Sequence, residues 1–170
     1  MSIFQEMGFK PQKENVHEAA LYNIARTFTL FNRSFARCYG RFGLTPAKLN
    51  VLMLVKHLGQ EQGLPQREIA RRLIISGSDV TGLIDRLEKA DLLTRKVTSK
   101  DRRVKLVTIS SKGSALLDKL WPVHMEQVEQ LMSPLPKRQQ QKLIHLLTKL
   151  RLPLQKADSV SDDQKTERDE

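Results

Sequence analysis

Between residues 14 and 40 the apolar side chains Ile24, Phe28, Phe31, Phe35 and Tyr39 recur at spacings of four and three, the signature of a long amphipathic helix. Gly40 and Gly43 end it. Thr45 followed by Pro46 is an N-cap with proline at the first helical position, and Leu49, Leu52, Met53, Val55 and Leu58 then leave little polar surface, which predicts a core helix to about residue 58. Gly59 and Gly63 bracket a turn. Pro65 opens a short helix with Ile69, Ala70 and Leu73 inward and Arg67, Arg71 and Arg72 in water. Ser76 and Asp79 stand three apart like a capping box, before a helix whose Val80, Leu83, Ile84 and Leu87 fall at i, i+3, i+4 and i+7. Its other face shows Ser78, Thr81, Gly82, Asp85 and Lys89, with Arg86 at the edge: short hydrogen-bonding groups, and one glycine where a surface can approach the backbone.

The period then changes. Residues 92–97 and 104–109 are rich in β-branched side chains and are separated by TSKDRR, so they read as a hairpin with Lys100, Asp101, Arg102 and Arg103 at its tip. Ser110 and Ser111 offer caps for a helix to about residue 132, which Pro122 must kink or split because proline lacks the amide for the helical bond. After SPLP at 133–136, Leu143, Leu146, Leu147 and Leu150 predict a last amphipathic helix ending before Pro153. The long first helix and this last pair carry more apolar stripe than the short elements between residues 64 and 109 can cover. The surplus predicts a partner subunit.

Charge narrows the class of partner. The 170 residues carry a formal net charge of +10, but 156–170 holds six acids against three bases, so the body 1–155 is +13. That surplus raises the expectation of a polyanion, nucleic acid or anionic membrane, without choosing between them. The tail reads as disordered. No stretch approaches the ~20 apolar residues of a membrane span; the richest, LNVLMLV at 49–55, is flanked by Lys48 and Lys56. The single cysteine, Cys38, makes no internal disulfide, and the N-terminus lacks a signal-peptide core, so a soluble cytoplasmic protein is expected. His17, His57, His124 and His145 are far apart and form no helical ligand pair, so no metal is expected. Without a phosphate loop, a zinc-protease helix or a nucleophile elbow, neither an enzyme nor a cofactor site is indicated, and Cys38 reads as a small buried hydrophobe.

Pattern makes the choice that charge leaves open. A short helix, a turn, a second helix and a basic hairpin over residues 64–109 match both grooves of duplex DNA, the wide one by shape and the narrow one by charge. The stretch REIARRLIISGSDVTGLIDRLEKADLLTRKVTSKDRRVKLVTISSKG resembles the MarR family of winged helix-turn-helix transcription regulators. Its most specific parts are Val80, Thr81, Ile84, Asp85, Arg86, Leu87 and Glu88, then Arg95, then Asp101-x-Arg103. The resemblance implies a mainly α (α+β) fold, with an N-terminal extension at 1–13 and a family domain at 14–155. In that domain, helices at 14–44 and 111–152 dimerise and 45–110 form the winged helix-turn-helix.

It implies a homodimer on an approximately palindromic double-stranded DNA operator, with the recognition helix in the major groove. Arg103 then enters the minor groove and Asp101 positions it. The expected DNA-contact set is Ser76, Ser78, Asp79, Thr81, Gly82, Arg86, Lys100, Asp101, Arg102 and Arg103. Taken alone, SKDRR is a solvated turn, Asp79 a cap, and Arg86 a partner for Asp85 or Glu88. The resemblance also implies a repressor relieved by a small aromatic or phenolic effector, with Phe28, Phe31, Met53, His57 and Trp121 around a ring and Arg37 or Arg41 on a carboxylate. Each of these also fits a plainer role: the rings as core, and Arg26, Arg33, Arg37 and Arg41 as a solvated stripe. Asp91 stands where the family usually has the glycine that ends the recognition helix, and Cys38 lies at the wrong end of its helix for redox sensing to be carried over. The competing reading is an architectural, nonspecific DNA binder or an activator without an effector.

Overall fold

The computed structural model describes residues 2–8, 15–60, 62–73, 80–97 and 105–166, with backbone alone for 97 and 156–166. Within 1–127, the first compact unit, a four-residue helix α1 (Ile3–Glu6) lies against α2 (Val16–Gly40). Phe4 is buried edge-on against Tyr22, ring centres 5.8 Å apart. Asn15 starts α2 by accepting the His17 amide at 2.9 Å. Thr45 starts α3 (Pro46–Leu54) by accepting the Lys48 amide at 3.3 Å. Leu49, Val51, Leu52 and Val55 are buried, but the expected regular helix to residue 58 gives way to a π-helical turn, Val55–Gly59. The extra residue in that turn rotates the following side chains, so Leu58 is 46% exposed instead of core.

Strand β1 (Leu64–Pro65) precedes α4 (Gln66–Arg72), α5 (Val80–Lys89), β2 (Leu93–Val97) and β3 (Lys105–Ile109). The antiparallel sheet has the order β1-β3-β2, with Leu64 opposite Val107 and Arg95 opposite Val107 on the other side. The hairpin is as expected, and Pro65, the N-cap of α4 as the sequence suggests, also pairs with Leu106. Gly63 permits this: its φ is 83°, and a Cβ there would lie 2.9 Å from the Thr108 methyl carbon. In α4 only Ile69 is fully buried; Ala70, expected inward, is exposed because so short a helix presents a single residue to the core. Asp91 ends α5 at φ 58°, the left-handed cap, with the Leu92 amide on the Leu87 carbonyl at 2.9 Å.

Helix α6 (Ser111–Met132) remains one element through Pro122. Proline removes one bond, to the Asp118 carbonyl, and the turns on either side keep theirs. Its first turn is tied to the hairpin: the Ser110 hydroxyl donates to the Asp91 carbonyl at 2.6 Å and accepts the Gly113 amide at 2.9 Å. A side chain at Gly113 would overlap the Leu92 carbonyl. The core is shared by every layer, with Leu52, Ile69, Ile84, Leu87, Leu93 and Leu120 fully buried.

The second unit, 128–170, contains the end of α6, a turn, and α7 (Lys137–Thr166). The Gln140 amide fixes the turn by donating to the Met132 and Leu135 carbonyls at 3.2 and 2.8 Å. The leucine pattern stops near Pro153 and predicts the helix end there, with a disordered tail over 156–170. In the structure the helical backbone passes through Pro153 to Thr166, since one missing amide does not by itself end a helix. Leu147, Leu150 and Leu154 are 37%, 53% and 60% exposed. Among the described residues no helix is long and apolar enough to cross a membrane.

Candidate nucleic-acid interface

Helix α5 is divided cleanly between core and solvent. Leu83, Ile84 and Leu87 are buried, while Thr81, Arg86 and Lys89 are exposed and Gly82, Asp85 and Glu88 are half-buried. On α4, Arg67, Arg71 and Arg72 are exposed, and Glu68 pairs with Arg71 and Arg72 at 3.5 and 3.4 Å. Arg67, Arg86 and Lys89 are exposed and have no ion-pair partner among the described residues. Such uncompensated cations beside an exposed helix are what a phosphate backbone binds.

Two side chains fix this helix. From β2, Arg95 reaches Asp85 at 2.5 Å and Glu88 at 2.8 Å, and its amide donates to Glu88 at 3.2 Å. The same guanidinium lies 3.5 Å from the Thr81 carbonyl. Asp85 and Glu88 are therefore committed to Arg95 and do not neutralise Arg86, which the sequence left as an alternative. From α4, the Gln66 side-chain amide donates to the Thr81 hydroxyl at 2.8 Å. Neither role is assigned by the sequence reading. Two acids three apart on a helix of a strongly basic chain were the available signal for the first; nothing in the spacing marks the second.

Ser76, Ser78, Asp79, Lys100, Asp101, Arg102 and Arg103 lie outside the described residues. The seven candidate effector residues do not converge. Phe28 lines a hollow of about 370 Å³ between α2 and the start of α3, with Thr29, Asn32, Arg33, Ala36, Thr45, Pro46 and Ala47. Met53 and His57 line another, of about 230 Å³, with Asn50, Leu54 and Leu58. Phe31 is half-buried and Arg37 and Arg41 are exposed, in neither hollow. The Trp121 ring lies tilted 5.0 Å from that of His124, whose Nδ1 shares a hydrogen bond with the Tyr39 hydroxyl at 2.7 Å. Burial pushes the Tyr39 phenol up, reinforced by Cys38, and pushes the His124 imidazole down. Both shifts favour the uncharged forms, in which the tautomer of the imidazole sets which of the two groups donates. Cys38 is half-buried against the same core, and no cluster of potential metal ligands occurs among the described residues.

The sequence and the fold resemble those of known proteins. The sequence profile of the MarR family matches residues 42–104. The helix-turn-helix transcriptional regulator YkoM of Bacillus subtilis is 32% identical over 139 residues, covering 81% of this chain and 88% of that one. The fold superposes on Sco3205 of Streptomyces coelicolor, a MarR-family regulator solved in complex with DNA, with a TM-score of 0.75 at 21% identity, covering 86% of this chain and 92% of that one. It also superposes on Bordetella bronchiseptica BpsR, whose DNA binding is regulated by 6-hydroxynicotinic acid, with a TM-score of 0.70 at 23% identity over 78% of this chain and 98% of that one. The chain belongs to the MarR family of winged helix-turn-helix, DNA-binding transcription regulators.

Proposed function

We propose that the chain is a homodimeric, sequence-specific repressor that binds an approximately palindromic duplex operator and is released by a small aromatic or phenolic effector. The observation that carries the DNA part is α5, whose apolar face is buried while Thr81, Arg86 and Lys89 stand in solvent, as does Arg67 of α4, the three cations having no ion-pair partner among the described residues. In this reading Ser76, Ser78, Asp79, Thr81, Gly82 and Arg86 approach the major groove and its phosphates. Lys100, Asp101, Arg102 and Arg103 form the minor-groove tip. The uncovered leucines of α7 and the half-exposed Ile24 and Phe28 of α2 support dimerisation through 14–44 and 111–152, leaving 45–110 to read DNA.

The effector part is supported by the Phe28 hollow, where a ring can lie on Phe28 and a carboxylate can meet Arg33, and by the aromatic acid that regulates BpsR. Selection of operators from a random duplex pool, followed by competition with unrelated DNA, tests the reading. A repressor of this kind prefers its site by ~10³ or more at physiological salt and selects inverted repeats. Equal competition by unrelated DNA would establish the nonspecific, architectural alternative. Salicylate and 6-hydroxynicotinate are then titrated against free protein and complex. Because coupling is reciprocal, an inducer binds the complex more weakly than the free dimer by the factor through which it weakens DNA binding, and equal affinity for both excludes induction by those compounds.

A further inference from the structure

We infer that Gln66, which lies outside the reading helix, sets the polarity with which Thr81 reads its base, so that the operator disfavours cytosine at the position Thr81 faces. The inference rests on the proposal that Thr81 approaches a base. Its own basis is the direction of one hydrogen bond. A threonine hydroxyl has a single proton to donate and lone pairs to accept with. Here the Gln66 amide nitrogen donates to Thr81 Oγ1 at 2.8 Å, so the hydroxyl proton is not spent on Gln66. Among the described residues the Thr81 hydroxyl has no other partner, and the residue is exposed. Its backbone is held as well, since the Arg95 guanidinium lies 3.5 Å from the Thr81 carbonyl. Thr81 is thus presented from a fixed position as a hydrogen-bond donor.

Base edges in the major groove divide accordingly. Guanine, adenine and thymine each offer an acceptor there, whereas cytosine offers only its amino donor. Thymine and cytosine place opposite polarities, a carbonyl oxygen and an amino group, at the same point in the groove. Thymine also carries a C5-methyl that cytosine lacks, so 5-methylcytosine stands for cytosine in the comparison, and the ratio at one operator position then reports the polarity of the hydroxyl with little contribution from shape.

The test measures that ratio with labelled duplexes built on the operator selected by the native protein. Native protein is expected to prefer thymine over cytosine by about fivefold, the worth of one neutral hydrogen bond. Thr81→Val, equal in shape and without the hydroxyl, brings the ratio near one. Gln66→Glu replaces the donating amide with a group that only accepts, so the Thr81 proton turns inward and the ratio inverts in favour of cytosine. A carboxylate at the first residue of α4 is favourable at a helix N-terminus, so the fold is retained. Its added charge weakens all duplexes alike and cancels in the ratio. If Thr81→Val abolishes the thymine preference while Gln66→Glu leaves it at the native value, Gln66 has no part in specificity and the inference is overturned with the base contact intact. If Thr81→Val changes no position of the operator, Thr81 does not read a base, and both fall together. Native selection of cytosine opposite Thr81 overturns the inference directly.

Discussion

Replacing Arg95 with alanine tests whether the reading helix and the hairpin act as one body. The Arg95 side chain is only 18% exposed, but its partners Asp85 and Glu88 are 46% and 37% exposed. A buried pair broken on one side costs about 3–5 kcal/mol, and an exposed pair under about 1. Freed carboxylates this exposed regain most of their hydration, which moves the expected cost toward the lower figure. A second consideration acts in the same direction: among the described residues Arg95 Nε is buried without a hydrogen-bond partner, a penalty that disappears with the side chain. We therefore expect a loss of about 1–2 kcal/mol, or roughly 3–6 °C in melting temperature for a chain of this size, measured by circular dichroism at fixed protein concentration. DNA affinity should fall by more than stability does, because two unneutralised acids then sit on the helix proposed to face phosphate. Asp85→Asn in the Arg95→Ala background should recover part of that loss, with a coupling above about 0.5 kcal/mol in a double-mutant cycle. Melting within about 1 °C of the parent, together with additive effects on DNA binding, would refute the reasoning.

Other expectations follow from single features. Arg86→Ala should weaken binding to every sequence alike and reduce the slope of log affinity against log salt by about one; a sequence-dependent loss would assign Arg86 to a base. Leu147→Glu combined with Leu150→Glu places charges in the uncovered seam of α7, and analytical ultracentrifugation should then show a monomer with much weakened operator binding; an intact dimer would place the interface elsewhere. Burial lowers the His124 pKa, so the folded state binds fewer protons than the unfolded chain as pH falls. Stability is therefore full above the ordinary histidine value of about 6.5 and declines as pH drops below it through the lowered value. His124→Gln should flatten that part of a melting-temperature profile, and an unchanged profile would assign the decline to other groups.

What could be read from the sequence depended on how many residues carried each signal. The stripes of α2 and α5 repeat over several turns, so one-sided burial of Leu83, Ile84 and Leu87 and the start at Thr45 agree with the expectation. Strand β1 is two residues long and has no period to detect; only Gly63 marks it, and a glycine near a turn has many meanings. The π-helical turn at Val55–Gly59 escaped for the converse reason, because the apolar run continues through it and conceals the change of face that exposes Leu58. The effector residues were grouped by chemical type, and type does not determine distance: Phe28 and Met53 belong to separate hollows.

The same distinction explains the interface. Residues that point into solvent are identified by their own letters, as Thr81 and Arg86 were. Residues that hold them in place are identified only by what they touch. Gln66 and Thr81 are fifteen positions apart, and no periodicity links them. Asp85 and Glu88 look unfavourable on a DNA-facing helix until Arg95 is brought across from β2, where they become the means of fixing that helix. A charge that opposes the expected partner is therefore worth reading as half of an ion pair. In this chain the two acids of α5 could have indicated, before any coordinates, that a cation elsewhere in the sequence was committed to structure and unavailable to DNA.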